Sequence, residues 1–290
     1  MRRGLWYATS AYVLFGFFPL YWKLLESVPA LQTVAHRVIW SCVMLVLFLF
    51  GTRRSAALRA GVRVPGTVAL CAAAAVFVSV NWFVYIWAVD AGFVVQTALG
   101  YFINPLVSVL LGVVFLRERL RPLQWAAIAC AAMGVVYLTF YVRAVPWIAL
   151  SLAATFGTYG LLKKTAPLDA LTGLTVETGV LFVPALAYLA FEHHAGRGMF
   201  MASGPLTTLL MIGAGPVTTV PLLLFAAAAR RIPLSSMGML QYINPTIQFL
   251  LGVFLYREPF SAGQIVGFAC VWTGLAIFVL DSARAARRTI

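Results

Sequence analysis

The stretch YFINPLVSVLLGVVFLRE, Tyr101 to Glu118, returns 140 residues later as QYINPTIQFLLGVFLYRE, Gln241 to Glu258. Nine of the eighteen aligned positions are identical, among them Asn104-Pro105 with Asn244-Pro245 and the closing Arg117-Glu118 with Arg257-Glu258. The register continues beyond the segment: Gln124 matches Gln264, Cys130 matches Cys270 and Gly134 matches Gly274. Near the N-terminus the offset becomes 141, pairing Phe15-Gly16 with Phe156-Gly157 and Lys23 with Lys164. The chain therefore reads as two copies of one unit, with a boundary expected between residues 1–143 and 144–290.

The duplicated unit belongs in a membrane. Of the 290 residues 62% are hydrophobic and 10% are charged, against about 45–50% and about 25% in soluble domains. Apolar runs close to the roughly 20 residues needed to span a bilayer recur along the whole chain. Ten spans are expected, at about 4–25, 33–51, 67–89, 92–116, 122–142, 145–163, 171–191, 205–229, 234–256 and 261–281. The fold class is thus an all-α polytopic membrane protein. The split near Asp90-Ala91-Gly92 has to turn one long apolar stretch back on itself. The first span is too long and too aromatic for a signal peptide, and no small-residue cleavage site follows it.

A net charge of +13 would suggest nucleic acid in a soluble protein, but the placement of the charges gives a different account. With the N-terminus inside, 16 of the 21 Lys and Arg residues fall on the cytoplasmic side, which orients both termini inward. No nucleic-acid partner is expected. Cys42, Cys71, Cys130 and Cys270 all lie within spans and show neither metal-ligand spacing nor a disulfide framework. No metal, cofactor or catalytic signature is read from the chain, so it is not expected to be an enzyme.

Five spans per copy is an odd number, so the second copy has to enter the bilayer upside down. Inverted repeats of this kind build transporters whose solute site lies near the midplane between the halves. The Asn-Pro pairs fall at the centres of spans 4 and 9. Pro105 and Pro245 lack an N–H and free the carbonyls of Tyr101 and Gln241, so both are expected to kink their helices. Thr97, Tyr101, Asn104 and Ser108 share one helical face, and Gln241, Asn244 and Gln248 form the matching stripe. Such stripes face protein or water rather than lipid. On span 3, Asn81 and Tyr85 share a face with Trp82 at its edge; span 8 carries Thr218 and Thr219 between Pro216 and Pro221. Uncharged amides beside aromatic faces suit an amphiphilic or aromatic organic solute and poorly suit a bare metal ion.

Ionisable groups inside the spans are few. His36 and Arg37 lie about one turn into span 2, and Glu177 about two turns into span 7. All three are candidates for coupling because intramembrane charges are costly. For Arg37 the competing role is snorkelling to the surface, and for Glu177 it is structural pairing. Gly263 and Gly267 on span 10 permit close helix approach, either within the chain or between two copies. The expected partners are a small organic solute and membrane lipids, with the chain a monomer or a homodimer.

At this point the residues resemble a known family. The segments FGFFPLYWKLL (15–25), AHRVIWS (35–41), NWFVYIWAV (81–89), ALGYFINPLVSVLLGVVFLRERL (98–120), GPVTTVPLLLFAAAARRIPLSSMGMLQYINPT (215–246) and FLLGVFLYREPF (249–260) resemble the EamA family of the drug/metabolite transporter superfamily, specifically its RarD-type members. The resemblance implies ten helices in two EamA repeats, a bacterial inner-membrane location, and export or exchange of small organic molecules under a label that often mentions chloramphenicol. It also implies a cavity between spans 3, 4, 8 and 9. Carried onto this chain, that singles out Asn81, Trp82, Tyr85, Tyr101, Asn104, Tyr242, Asn244 and Gln248. One departure is Arg117 and Arg257, where the resemblance leads one to expect glycine before the acid. A lipid-handling membrane protein, scramblase or enzyme, and a non-transporting sensor or scaffold remain open alternatives.

Overall fold

The computed structural model describes residues 2–90, 94–142, 147–257 and 262–287, and every regular element among them is helical. The elements are α1 (Arg2–Gly16), α2 (Phe18–Lys23), α3 (Ala30–Gly51), α4 (Ser55–Val62), α5 (Thr67–Asp90), α6 (Val94–Leu116), α7 (Pro122–Val142), α8 (Trp147–Thr165), α9 (Ala170–His194), α10 (Pro205–Ala229), α11 (Leu234–Gln241), α12 (Ile243–Leu250), a π-helical turn (Leu251–Leu255) and α13 (Ala262–Arg287). The turn expected at Asp90–Gly92, the boundary between 143 and 144, and Glu258 lie wholly or partly outside the described residues.

The chain is a multi-pass membrane protein. Six described helices are long and apolar enough to cross a bilayer, and the apolar part of α6, Gly100–Leu116, is shorter. Beside an apolar core, large apolar side chains also face outward and polar ones are held inside. Leu47, Phe50, Phe115, Phe140 and Phe254 point outward, while Gln32, Arg37, Ser41, Asn104, Ser108, Thr218, Thr219, Gln241 and Asn244 are buried. Lipid tails solvate the first group at no cost, and the interior keeps the second away from the hydrocarbon.

Two of the expected spans are interrupted. Span 1 is divided at Phe17, just ahead of Pro19, into α1 and α2. Span 9 is divided at Tyr242 into α11 and α12 and then widens into the π-helical turn, where Tyr256 N–H reaches Leu251 O at 3.0 Å. A short amphipathic helix, α4, occupies what reads as a loop between spans 2 and 3.

Helix packing repeats itself under the same shift that relates the two halves. Helix α5 packs on α8 as α10 packs on α1; α6 packs on α8 as α12 and α11 pack on α1; α3 packs on α10 as α9 packs on α5. The remaining large contacts join a helix to its own counterpart: α3 with α9, α6 with α11, and α7 with α13. At the α7–α13 crossing the repeat-related cysteines meet, Cys130 Sγ lying 3.3 Å from Cys270 O. Here Gly134 and Gly274 bring backbone to backbone, since a Cβ on Gly274 would stand 2.5 Å from Ala127 O. Gly263 and Gly267 pack against Tyr141 and Leu138 of α7 in the same chain, so this pair is already occupied.

The two repeat-related arginines share one backbone conformation. Arg117 has φ +54° and Arg257 φ +52°, the left-handed region that strains any residue with a Cβ. This is the physical reason for expecting glycine there. Next to Arg117, the Glu118 carboxylate crosses to the other half and caps α11. Oε1 accepts from Leu234 N–H at 2.6 Å, and Oε2 accepts from Ser235 N–H at 2.9 Å and Ser235 O–H at 2.7 Å. An acidic side chain at a helix N-terminus satisfies orphan donors and meets the positive end of the dipole.

Candidate functional site

The helix pairs surround a central cavity. Its floor and walls come from both halves: Asn81, Trp82 and Tyr85 on α5; Tyr101 and Asn104 on α6; Gln241 on α11; Asn244 and Gln248 on α12; and Arg37 on α3. Helices α1 and α2 close the remaining side with Tyr12, Phe15, Phe18 and Trp22, and α8 adds Phe156. The repeat-related pair Phe15 and Phe156 meets edge to face, with ring centroids 6.5 Å apart. Tyr85 and Tyr101 meet similarly at 5.9 Å.

The amides differ in how much hydrogen-bonding capacity they leave free. Asn81 Nδ2 donates to Leu152 O at 2.9 Å and to Thr155 Oγ1 at 3.0 Å, so it ties α5 to α8. Gln248 Nε2 donates to Asn244 Oδ1 at 2.9 Å. Asn104 Oδ1 is buried and has no partner among the described residues. An unpaired buried carbonyl is costly in a low-dielectric interior, so Asn104 is the amide most ready to take a hydrogen-bond donor.

Not every candidate lies on the cavity. Tyr242 is fully buried on the far side of its helix, packed among Phe102, Met239 and Phe268, with no partner for its hydroxyl. Its place beside Gln241 in sequence is misleading, because adjacent helical residues point about 100° apart. Ser108 lies under Gly238, away from the cavity, and Thr97's side chain is outside the described residues. Pro105 sits inside α6, which stays helical through it, whereas Pro245 sits in the first turn after the break at Tyr242. His36 faces away from the cavity and stacks on Phe200 with centroids 4.9 Å apart. Glu177 pairs with Lys163 at 2.6 Å and accepts from Tyr159 O–H at 3.3 Å, with both ionic partners buried. It lines a separate small pocket that shares Trp82 and Leu222 with the central one.

Sequence reasoning missed the aromatic wall from α1 and α2. The duplicated Phe-Gly doublet was the signal that could have found it. Thr218, named on span 8, has a role that sequence reasoning did not assign: it accepts a hydrogen bond from Arg37 Nε at 3.0 Å. No group of side chains able to hold a metal ion occurs among the described residues. The cavity can stack on a flat apolar body and hydrogen-bond its polar edge.

A helical bundle with an apolar outer face around a central polar and aromatic cavity is the architecture of a membrane transporter. Comparison with known proteins agrees. The EamA-like transporter family matches residues 2–140. The uncharacterized transporter YojE of Bacillus subtilis is 45% identical, with 98% of this chain and 95% of that protein aligned. Protein RarD of Streptomyces exfoliatus is 43% identical over 99% of this chain and 91% of its own. A solved crystal structure shares the fold at a TM-score of 0.71 and 18% identity, covering 96% of this chain and 97% of that one. The chain belongs to the EamA-like transporter family, among its RarD-type members.

Proposed function

We propose that this protein is a secondary transporter that moves a small amphiphilic or aromatic organic solute across the bacterial cytoplasmic membrane by alternating access. Its ten spans form two five-helix repeats of opposite orientation, with both termini in the cytoplasm. The observation that carries this reading is the central cavity, where Asn104 and Asn244, equivalent residues of the two halves, line one space. Helix contacts that recur under the repeat shift supply two equivalent packings, which is what rocking about a central site requires. The breaks at Phe17 and Tyr242 give α1–α2 and α11–α12 places to bend. Asn104, Tyr101 and the Asn244–Gln248 pair would hold the polar edge of the solute, and Trp82 and Tyr85 would stack on its body.

A second reading, lipid handling, is favoured by one feature. An apolar groove lined by Leu14, Phe17, Tyr21, Val217 and Val220 opens on the outer face and shares Phe18 with the cavity. Proteoliposomes separate the two readings. Aromatic metabolites and amphenicol drugs are tested for counterflow, alongside scrambling of a fluorescent phospholipid. Solute counterflow lost in Asn104→Ala is expected. Lipid scrambling without solute flux would replace transport by the lipid reading.

A further inference from the structure

Arg37 is the one formally charged residue among the described residues lining the central cavity, and it is 7% exposed. Its guanidinium lies 4.4 Å from the ring centroids of both Trp22 and Trp82. Nε donates to Thr218 Oγ1. Among the described residues the other four N–H donors are given no acceptor, and no carboxylate lies within ion-pair distance. The contrast with Lys163 is informative: that buried cation has its carboxylate, Glu177, at 2.6 Å. Burying a cation without an anion is costly, and indole faces offset only part of the lost hydration. Snorkelling does not relieve the cost here, because the group lines the interior chamber.

We propose that Arg37 is an anion subsite of the central cavity, and that the solute is an organic carboxylate with an aromatic or other apolar body. This rests on the reading of the cavity as the solute site and names the class of solute. A guanidinium presents paired N–H groups in a planar fork that matches a carboxylate. The two indoles fix the plane of that fork, and Thr218 fixes its rotation through Nε. The free N–H edge then remains for the ligand. Phe15, Tyr85 and Tyr101 supply the surfaces for the apolar body, and the unpartnered Asn104 Oδ1 takes a donor on it.

The test uses the purified full chain in detergent at low chloride, with isothermal titration of 3-phenylpropionate and of its neutral amide, 3-phenylpropanamide. A charge-assisted bidentate contact contributes a factor of roughly ten to a hundred. The acid is therefore expected to bind at least about tenfold tighter than the amide. Arg37→Met should erase that preference by weakening the acid alone, and Arg37→Lys should keep part of it. If the Met variant does not fold, Thr218→Val serves in its place: loosening the fork should weaken the acid several-fold and leave the amide unchanged. Equal binding of acid and amide, with both lost in Asn104→Ala, would leave the central site standing and overturn the anion subsite. Arg37-dependent binding of chloride or phosphate alone, without the acid, would make the subsite one for inorganic anions and overturn the proposal. A folded protein that binds none of these probes would remove both the anion subsite and the solute site it rests on.

Discussion

The two Asn-Pro helices start from nearly the same sequence and end in different backbones. Around Pro105, α6 runs unbroken from Val94 to Leu116; around Pro245, the chain breaks at Tyr242 and then widens into a π turn. Proline removes the same N–H from both, so proline alone does not explain the break. The difference lies one residue further on. Leu106 follows Pro105, whereas Thr246 follows Pro245 and turns its hydroxyl back to Tyr242 O at 2.7 Å while accepting from Trp272 Nε1 at 2.9 Å. A hydroxyl bonded back to the carbonyl four residues earlier bends a helix. Meanwhile α6 is braced: Gly238 of α11 sits so close that a Cβ there would stand 2.5 Å from Pro105 O. The amides diverge as well. Asn244 Oδ1 accepts from Gln248, but the equivalent of Gln248 is Ser108, and Asn104 Oδ1 is left open. One half thus offers a continuous, braced helix with a free acceptor, and the other a jointed helix whose asparagine oxygen is already taken by Gln248.

The comparison can be broken most forcefully at Glu118, whose carboxylate carries the brace from the end of α6 to the start of α11. Glu118→Ala strips three hydrogen bonds from Leu234 and Ser235. It should cost about 2 kcal/mol, read from thermal or denaturant unfolding in detergent. An unchanged stability would mean that the jointed helix does not depend on its partner.

A smaller effect is expected at the joint. Thr246→Val leaves the Trp272 indole N–H without its acceptor and should cost about 1 kcal/mol. In a double-mutant cycle, Trp272→Phe should then cost less in the Thr246→Val background than alone. Additive losses would show that the two side chains do not act together. The smallest effect falls where the two copies agree. Arg117→Gly and Arg257→Gly each relieve a left-handed residue and should each raise stability by up to about 1 kcal/mol, with solute flux unchanged. A loss of stability at only one of them would reveal a difference between the helix ends that their dihedral angles do not show.

Much of this was legible in residues alone, for reasons that can be named. The duplication and the polar stripes are periodic patterns, and Asn81, Tyr101, Asn104, Gln241, Asn244 and Gln248 line one cavity because helical periodicity is preserved across the bilayer. A kink was expected at both Asn-Pro pairs; that only the second helix breaks, at Tyr242, was not legible, since the bend there involves Trp272 meeting Thr246 across 26 residues of chain. The same break, with the turn of the helix, explains why Tyr242 faces the core instead of the cavity. The cap by Glu118 joins positions 116 and 117 residues apart and leaves no local signal. Arg117 and Arg257 were visible only as departures from an expected glycine, and their positive φ gives that expectation its cause. Glu177 read equally well as a coupling group or as half of a buried pair, and the nearness of Lys163 on another helix is what periodicity could not supply.

The central claim is that two asparagines 140 residues apart serve one solute. Its most direct test is equilibrium binding of a radiolabelled solute that the protein carries in proteoliposomes, measured on wild type, Asn104→Ala, Asn244→Ala and the double variant. The account predicts that each single change weakens binding several-fold, more for Asn104 because its oxygen is unspent, and that the protein stays folded. Unchanged affinity in both single variants, with folding intact, would contradict it.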